Sequence, residues 1–284
     1  MTTYLSPAKV NLSLGITGKD PKDGYHYIDS IFDPVSVFDV IEIEKSGVKS
    51  INLNSGLNIP KEKNLVYKAA ALFKDAYGIK KGVNIKLHKN IPQGAGLGGG
   101  SSNAAAVLHA MNDIFKVKAP LKELSALGFK LGSDVPFFIY NRTARVTGKG
   151  EKITPIERKR ELWYVLLCKN VHVATKKAYE LLDNEKKLTF NKSCNILLLR
   201  YLKGQDVKGG FLQNDFEKPI FRSFPGLKEV KTVLKKQKNC IDACMSGSGA
   251  TVFALFETKG DAELCCRRMK AVFPGSFVRA AHSI

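Results

Sequence analysis

The chain has 284 residues, with 45 Lys and Arg against 26 Asp and Glu, a formal net charge of +19, 44% hydrophobic residues, 24 glycines and six cysteines. That length suits one large domain or two ordinary ones, and the apolar content excludes a disordered chain. The longest uncharged run, Asn90 to Asn112, reaches bilayer length but carries Pro92 and clustered glycines. Its backbone could not stay satisfied in lipid, so it reads as a loop followed by a helix.

In chain order, Met1 to Pro7 lacks a basic region followed by an apolar one, so the expectation is a cytoplasmic protein without a secretory signal. Val10, Leu12, Leu14 and Ile16 alternate with polar residues and predict a half-buried strand, with Lys9 and Asn11 sharing its other face. Further strands are expected at Val40–Glu44 and Val83–His88, and an amphipathic helix at Leu65–Tyr77. After Gly100, Ser101 and Ser102 are placed to cap a helix running to about Phe115. A second helix, Leu121–Leu131, stops at Gly132. The apolar run Trp163–Cys168 predicts a central strand, Thr175–Leu182 and Lys228–Lys238 predict helices, and strands Ala250–Phe256 and Phe277–Ala281 bracket a helix at Ala262–Val272. A domain boundary is expected near residue 152, giving segments 1–152 and 153–284, with the last strand returning toward the first segment.

The cysteines show no CxxC and no histidine at zinc spacing, which predicts reduced thiols. Basic residues are scattered or paired, with 20 basic and 13 acidic side chains in residues 1–151 and 25 and 13 in residues 152–284. There is no long basic arm and no aromatic ladder for RNA. The strongest chemical feature is Pro92-Gln93-Gly94-Ala95-Gly96-Leu97-Gly98-Gly99-Gly100-Ser101-Ser102, between a strand and a helix. Glycine at this density lets backbone N–H groups converge, and the helix adds unpaired N–H groups and a positive dipole end, which together suit phosphate oxygens. A Walker loop is excluded because no Lys-Ser or Lys-Thr follows; a dinucleotide fold lacks its acid-tipped strand, and a protein kinase lacks its HRD loop. Ser246-Gly247-Ser248-Gly249 either adds N–H groups to an anion or makes a tight turn. Asp134, in Gly132-Ser133-Asp134-Val135-Pro136, reads as a helix-flanking surface group or a carboxylate held in a cleft.

These motifs, with Ser6-Pro7-Ala8-Lys9-Val10-Asn11-Leu12, stand in the order of the GHMP kinase superfamily, which the chain resembles. The resemblance implies an α+β, two-domain fold: a ribosomal-protein-like N-terminal domain, a ferredoxin-like C-terminal domain, and an active site in the cleft between them. Asp23-Gly24-Tyr25-His26, Asn64-Leu65-Val66, Gly148-Lys149-Gly150-Glu151 and Asn214-Asp215-Phe216-Glu217 fit a subgroup acting on a cytidine diphosphate-linked polyol. On this resemblance Lys9 and Asp134 form the catalytic pair. Asp134 would accept the proton of the attacking hydroxyl, and Lys9 would stabilise the oxygen and keep the carboxylate ionised.

The loop Pro92 through Ser102 (Pro92, Gln93, Gly94, Ala95, Gly96, Leu97, Gly98, Gly99, Gly100, Ser101, Ser102) would wrap the triphosphate of ATP, and Asn64, Leu65, Val66 and Lys89 would line the adenine pocket. Tyr25 and His26 match the cytosine-binding segment, Tyr179 resembles its second ring, and Asn11, Ser246 and Gly247 complete the substrate site. Lys176-Lys177 before Tyr179, Ala95 in the loop and Asn141-Arg142 depart from the family's usual residues. Mg²⁺ is expected on the phosphates, with Ser102 the candidate to meet it. His88, His109, His172 and His282 fit no site and are read as structural. The expected function is ATP-dependent phosphorylation of the polyol's 2-hydroxyl. The rivals are a related kinase for mevalonate, homoserine or a sugar, and an RNA-binding module.

Overall fold

A computed structural model describes residues 1–185 and 190–284. The chain divides into two compact units: residues 1–8, 37–93 and 98–142 form one, and residues 9–36, 94–97 and 143–284 the other. The long strands β1 (Thr2–Lys19) and β2 (His26–Ser46) each contribute to both.

In the first unit, Val40–Ser46 of β2 pairs antiparallel with β4 (Gly82–His88), and β4 pairs parallel with β3 (Ile51–Asn54). Helix α1 (Leu65–Ala76) buries Val66, Ala69, Ala70 and Phe73, the stripe that its 3.6-residue period predicts, against α2 (Gly99–Phe115). Its start is fixed by Asn64, whose side chain accepts from the Val66 N–H at 3.0 Å. Helix α3 (Leu121–Phe129) ends two residues before the sequence suggested, and a short helix α4 (Val135–Tyr140) follows at once. Ser101 and Ser102 do not cap α2. Gly98 stands at its start in the left-handed region (φ 68°), makes no side-chain hydrogen bond, and leaves both serines inside the first turn. The glycine cluster could supply that backbone turn because it carries no Cβ.

The second unit holds β1 beside β2, with β1 pairing parallel with β8 (Gln213–Asn214) and β2 pairing with β5 (Ala144–Gly148), which pairs with β6 (Lys152–Pro155). A separate antiparallel sheet runs β11 (Phe277–His282), β7 (Trp163–Cys168), β10 (Thr251–Phe256), β9 (Asp242–Met245). Strand β7 is internal, as its unbroken apolar run predicts, and Tyr164 through Leu167 are fully buried. The sheet packs against α8 (Pro225–Lys235) and α9 (Lys259–Val272). Beyond β11, Ser283 bridges Val35 and the Ile284 N–H donates to Pro34 C=O, so the chain end lies on β2. Helices α5 (Thr175–Asp183), α6 (Lys192–Leu202) and α7 (Glu217–Ser223) complete the unit. Among the described residues no helix is long and apolar enough to cross a membrane.

Candidate active site

The expected site residues fall into a group in each unit. In the second, Lys9 is 3% exposed; its Nζ donates to Asn11 Oδ1 at 2.5 Å and lies 4.6 Å from the Phe32 ring centre. Alternation along β1 puts the side chains of Lys9 and Asn11 on one face. A buried ammonium needs such partners to stay charged. The Lys9 N–H donates to Leu97 C=O at 3.0 Å, fixing the glycine loop to the strand that carries the lysine.

The second glycine turn is bound into the same cluster. Asn11 N–H donates to Ser246 Oγ at 3.3 Å, and Ser246 Oγ donates to Gly96 C=O at 2.9 Å. Gly96 has φ +75°, and a Cβ there would stand 2.1 Å from Ser246 O; Gly247, at φ +56°, faces Gly96 in turn. Only glycine fits this crossing of two backbones. Thr251 N–H donates to Ala95 C=O at 3.1 Å, and Asn214 Nδ2 donates to Met245 C=O and Gly247 C=O at 2.7 and 2.8 Å. The turn thus braces residues 94–97, a role that could not be separated from anion binding in sequence.

Tyr25 ends the turn between β1 and β2 and is 59% exposed. Its turn is held by Asp23 accepting the Tyr25 N–H at 3.0 Å, by Gly24 at φ +74°, and by Lys149, which pairs with Asp20 at 2.7 Å and also with Asp23. Hydrogen bonds from Lys149, the Lys22 N–H and Tyr27 hold the Asp20 carboxyl down at about 2. Lys149 Nζ also stands 5.7 Å from the Tyr25 ring centre. His26 and Tyr179 stack with ring centres 4.5 Å apart and 19° between planes, and Tyr179 meets Phe216 edge-on at 4.9 Å. Tyr25 is exposed apart from Lys149 over its ring, whereas the Tyr179 ring is engaged by His26.

In the first unit, Asn64 is 6% exposed and its Nδ2 is buried without a hydrogen-bond partner among the described residues. A Cβ on Gly100 would lie 3.4 Å from Leu65 Cδ1, and one on Gly99 3.2 Å from Lys89 Nζ, so Leu65 and Lys89 sit directly against the start of α2. Lys89 pairs with the fully buried Asp39, which also accepts the Asn90 and Ile91 N–H groups at 2.7 and 2.9 Å. Val66 is buried in α1 and takes part through its backbone N–H, and Pro92 and Gln93 carry the chain on from this lysine into the loop. Asp134, half-buried at the N-terminus of α4, makes no hydrogen bond to that helix's own amides. Ser6 Oγ lies 2.8 Å from Ser102 Oγ and 2.7 Å from Asn103 Oδ1. Ser6 Oγ can donate to either, its one proton serving one acceptor at a time. Among the described residues no cluster of three or more His, Cys, Asp or Glu could hold a metal.

Two neighbours escaped sequence reasoning. A Cβ on Gly94 would lie 2.8 Å from the His172 ring, so that histidine borders the loop. Asp183 pairs with both His26 and Lys19 at 2.6 Å. Its spacing of four from Tyr179 on one helix was the available signal.

Models of the GHMP kinases N terminal domain and the GHMP kinases C terminal domain match residues 64–142 and 203–275. A 4-diphosphocytidyl-2-C-methyl-D-erythritol kinase of Clostridioides difficile (strain 630) is 40% identical over 264 residues, covering 90% of this chain and 87% of that one. A crystal structure of 4-(cytidine 5'-diphospho)-2C-methyl-D-erythritol kinase is 33% identical and covers 100% of both chains with a TM-score of 0.82. A homoserine kinase from Cytophaga hutchinsonii, 20% identical, covers 99% of this chain and 94% of its own with a TM-score of 0.76, a likeness of fold alone.

Proposed function

Because the chain belongs to the GHMP kinase superfamily, and within it to the 4-diphosphocytidyl-2-C-methyl-D-erythritol kinases, we propose that it transfers the γ-phosphoryl of ATP to the 2-hydroxyl of that cytidyl substrate. The products are the 2-phosphate and ADP, in the non-mevalonate route to isoprenoid precursors. The reading is supported most directly by the connected set Lys9, Asn11, Ser246 and Gly96, which ties a buried cation to the glycine loop.

Phosphoryl transfer asks the protein for positioning and charge neutralisation more than covalent chemistry. Amides between Gly94 and Ser101 take the triphosphate oxygens, with the dipole of α2 behind them; the Ser102 N–H is already held by Gly98 C=O at 2.9 Å. The unpartnered Asn64 Nδ2 donates to a ring nitrogen of adenine, with Leu65, Val66 and Lys89 around the base. Tyr25 stacks on cytosine beside His26 and Tyr179. Asp134 accepts the hydroxyl proton and Lys9 stabilises the resulting oxygen charge. Mg²⁺, when bound, neutralises the phosphates, and the Ser102 hydroxyl is the group that would meet it.

The division into residues 1–152 and 153–284 is part of this reading, supported by the gap between the two matched family segments, the first ending at residue 142 and the second beginning at residue 203. We place the protein in the cytoplasm, where thiols such as its six free cysteines are kept reduced. A coupled ADP-release assay tests the reading. Release with the cytidyl substrate, and background rates with ATP alone, mevalonate or homoserine, is the expected result. Equal rates with homoserine would overturn it.

A further inference from the structure

A cavity of about 710 Å³ opens in the second unit, between the start of α6, β8, α7 and α8. Its size is that of an organic-ligand site. Leu212, Phe221 and Cys194 give it apolar walls, and Lys218, Lys228, Lys231, Lys235 and Lys236 surround them. Three of these cations are already compensated: Lys231 pairs with Glu217 at 2.5 Å, Lys218 with Glu185 at 2.8 Å and Lys235 with Asp242 at 3.1 Å. Glu217, the one acid in the lining, is spent on Lys231 and on the Met245 N–H at 2.9 Å. Among the described residues the Lys228 and Lys236 ammonium groups have no acidic partner. Their backbone positions stand about 12 Å apart, from the first turn of α8 to its C-cap, within joint reach of the two flexible stems.

The walls are preformed. Asn214 is fixed by the carbonyls of Met245, at the end of β9, and Gly247, in the second glycine turn, and Asn191 and Gln213 are bonded to each other at 2.9 Å. Fixed walls spare a ligand the cost of ordering them. We propose that this cavity binds a small amphiphilic anion, its apolar body on Leu212 and Phe221 and its phosphate or carboxylate head between Lys228 and Lys236. It is a site separate from those for ATP and the cytidyl substrate.

Hexyl phosphate is the probe, titrated calorimetrically into the full chain saturated with ADP, with hexanol and inorganic phosphate as controls. The expected result is one site that binds hexyl phosphate at least about tenfold more tightly than either control. Binding should weaken about tenfold or more in Lys228→Gln/Lys236→Gln, with kinase activity unchanged. Wild-type chain that does not bind, hexanol binding as well as hexyl phosphate, or undiminished binding by the double variant would each overturn the proposal. A measurement without substitution stands beside it: hexyl phosphate should slow alkylation of Cys194, read by peptide mass, and an unprotected Cys194 would also overturn it.

Discussion

The Asp183 carboxylate accepts from His26 Nε2 at 2.6 Å while its other oxygen takes Lys19 at 2.6 Å, so one acid at the end of α5 joins both ends of the turn that presents Tyr25. A carboxylate only accepts, so His26 carries its proton on Nε2 and its tautomer is set.

Burial works against the Asp183 charge, but hydrogen bonds from Lys19 and His26 outweigh it and hold the carboxyl below its ordinary range. A carboxyl depressed in the folded state adds stability above its unfolded value, and that stability is lost as pH falls through the folded value. Wild type should therefore melt higher than Asp183→Asn at neutral pH, and the gap should close under acid. The same variant should raise KM for the cytidyl substrate severalfold while sparing KM for ATP. Melting curves across pH and a kinetic comparison at pH 7 check both.

Asp134→Asn keeps the size of the side chain and removes its basicity. Turnover should fall by about 10²-fold or more, the scale of a lost general base, with ATP affinity retained. Single-turnover rates beside nucleotide titration separate the two quantities. An unchanged rate would take Asp134 out of the reaction.

Gly96→Ala places a methyl 2.1 Å from Ser246 O at a backbone angle of +75°. The left-handed angle alone costs about 1–2 kcal/mol, and the facing atom is backbone, which cannot swing aside. A melting temperature lower by about 4 °C or more is expected, with weaker ATP binding, measured by calorimetry.

Asn64 separates a structural role from a binding one. Asn64→Asp keeps the oxygen that caps α1, removes the donor and adds a carboxylate at the helix N-terminus, where the dipole favours negative charge, so stability should hold while KM for ATP rises about tenfold. Asn64→Ala should lose about 1 kcal/mol of stability as well. Thermal melts and steady-state kinetics distinguish the two.

Much of this was legible because it is local. The apolar stripe of α1 reports burial directly, and the glycine loop reads as a turn between a strand and a helix; the half-buried reading of Val10–Ile16 failed, because residues 6–16 of β1 are buried on both faces, Lys9, Asn11 and Ser13 included. What stayed hidden depends on distant chain. Strand β2 runs through 21 residues, of which only Val40–Glu44 could be read, because residues 28–32 are buried by pairing on both sides and lose their alternation. Helix α7 begins after an Asn214 whose side chain is committed 31 residues away, on Met245. The role of the Ser246 turn needed Gly96, 150 residues distant, to be seen beside it. Ser101 and Ser102 misled for the opposite reason: serine caps are common, but here Gly98 made the turn three residues before Ser101.

That choice at Gly98 has an energetic sequel. A seventeen-residue helix begins with no side chain closing its first turn and no acid within it. On the proposed assignment the N–H groups of that first turn take the nucleotide's phosphates, so binding adds to the stability of the folded chain. Thermal resistance should then climb with the logarithm of nucleotide concentration. The purified apo chain understates the protein's durability in a cell rich in ATP, and starvation for ATP would shorten its life as well as idle it.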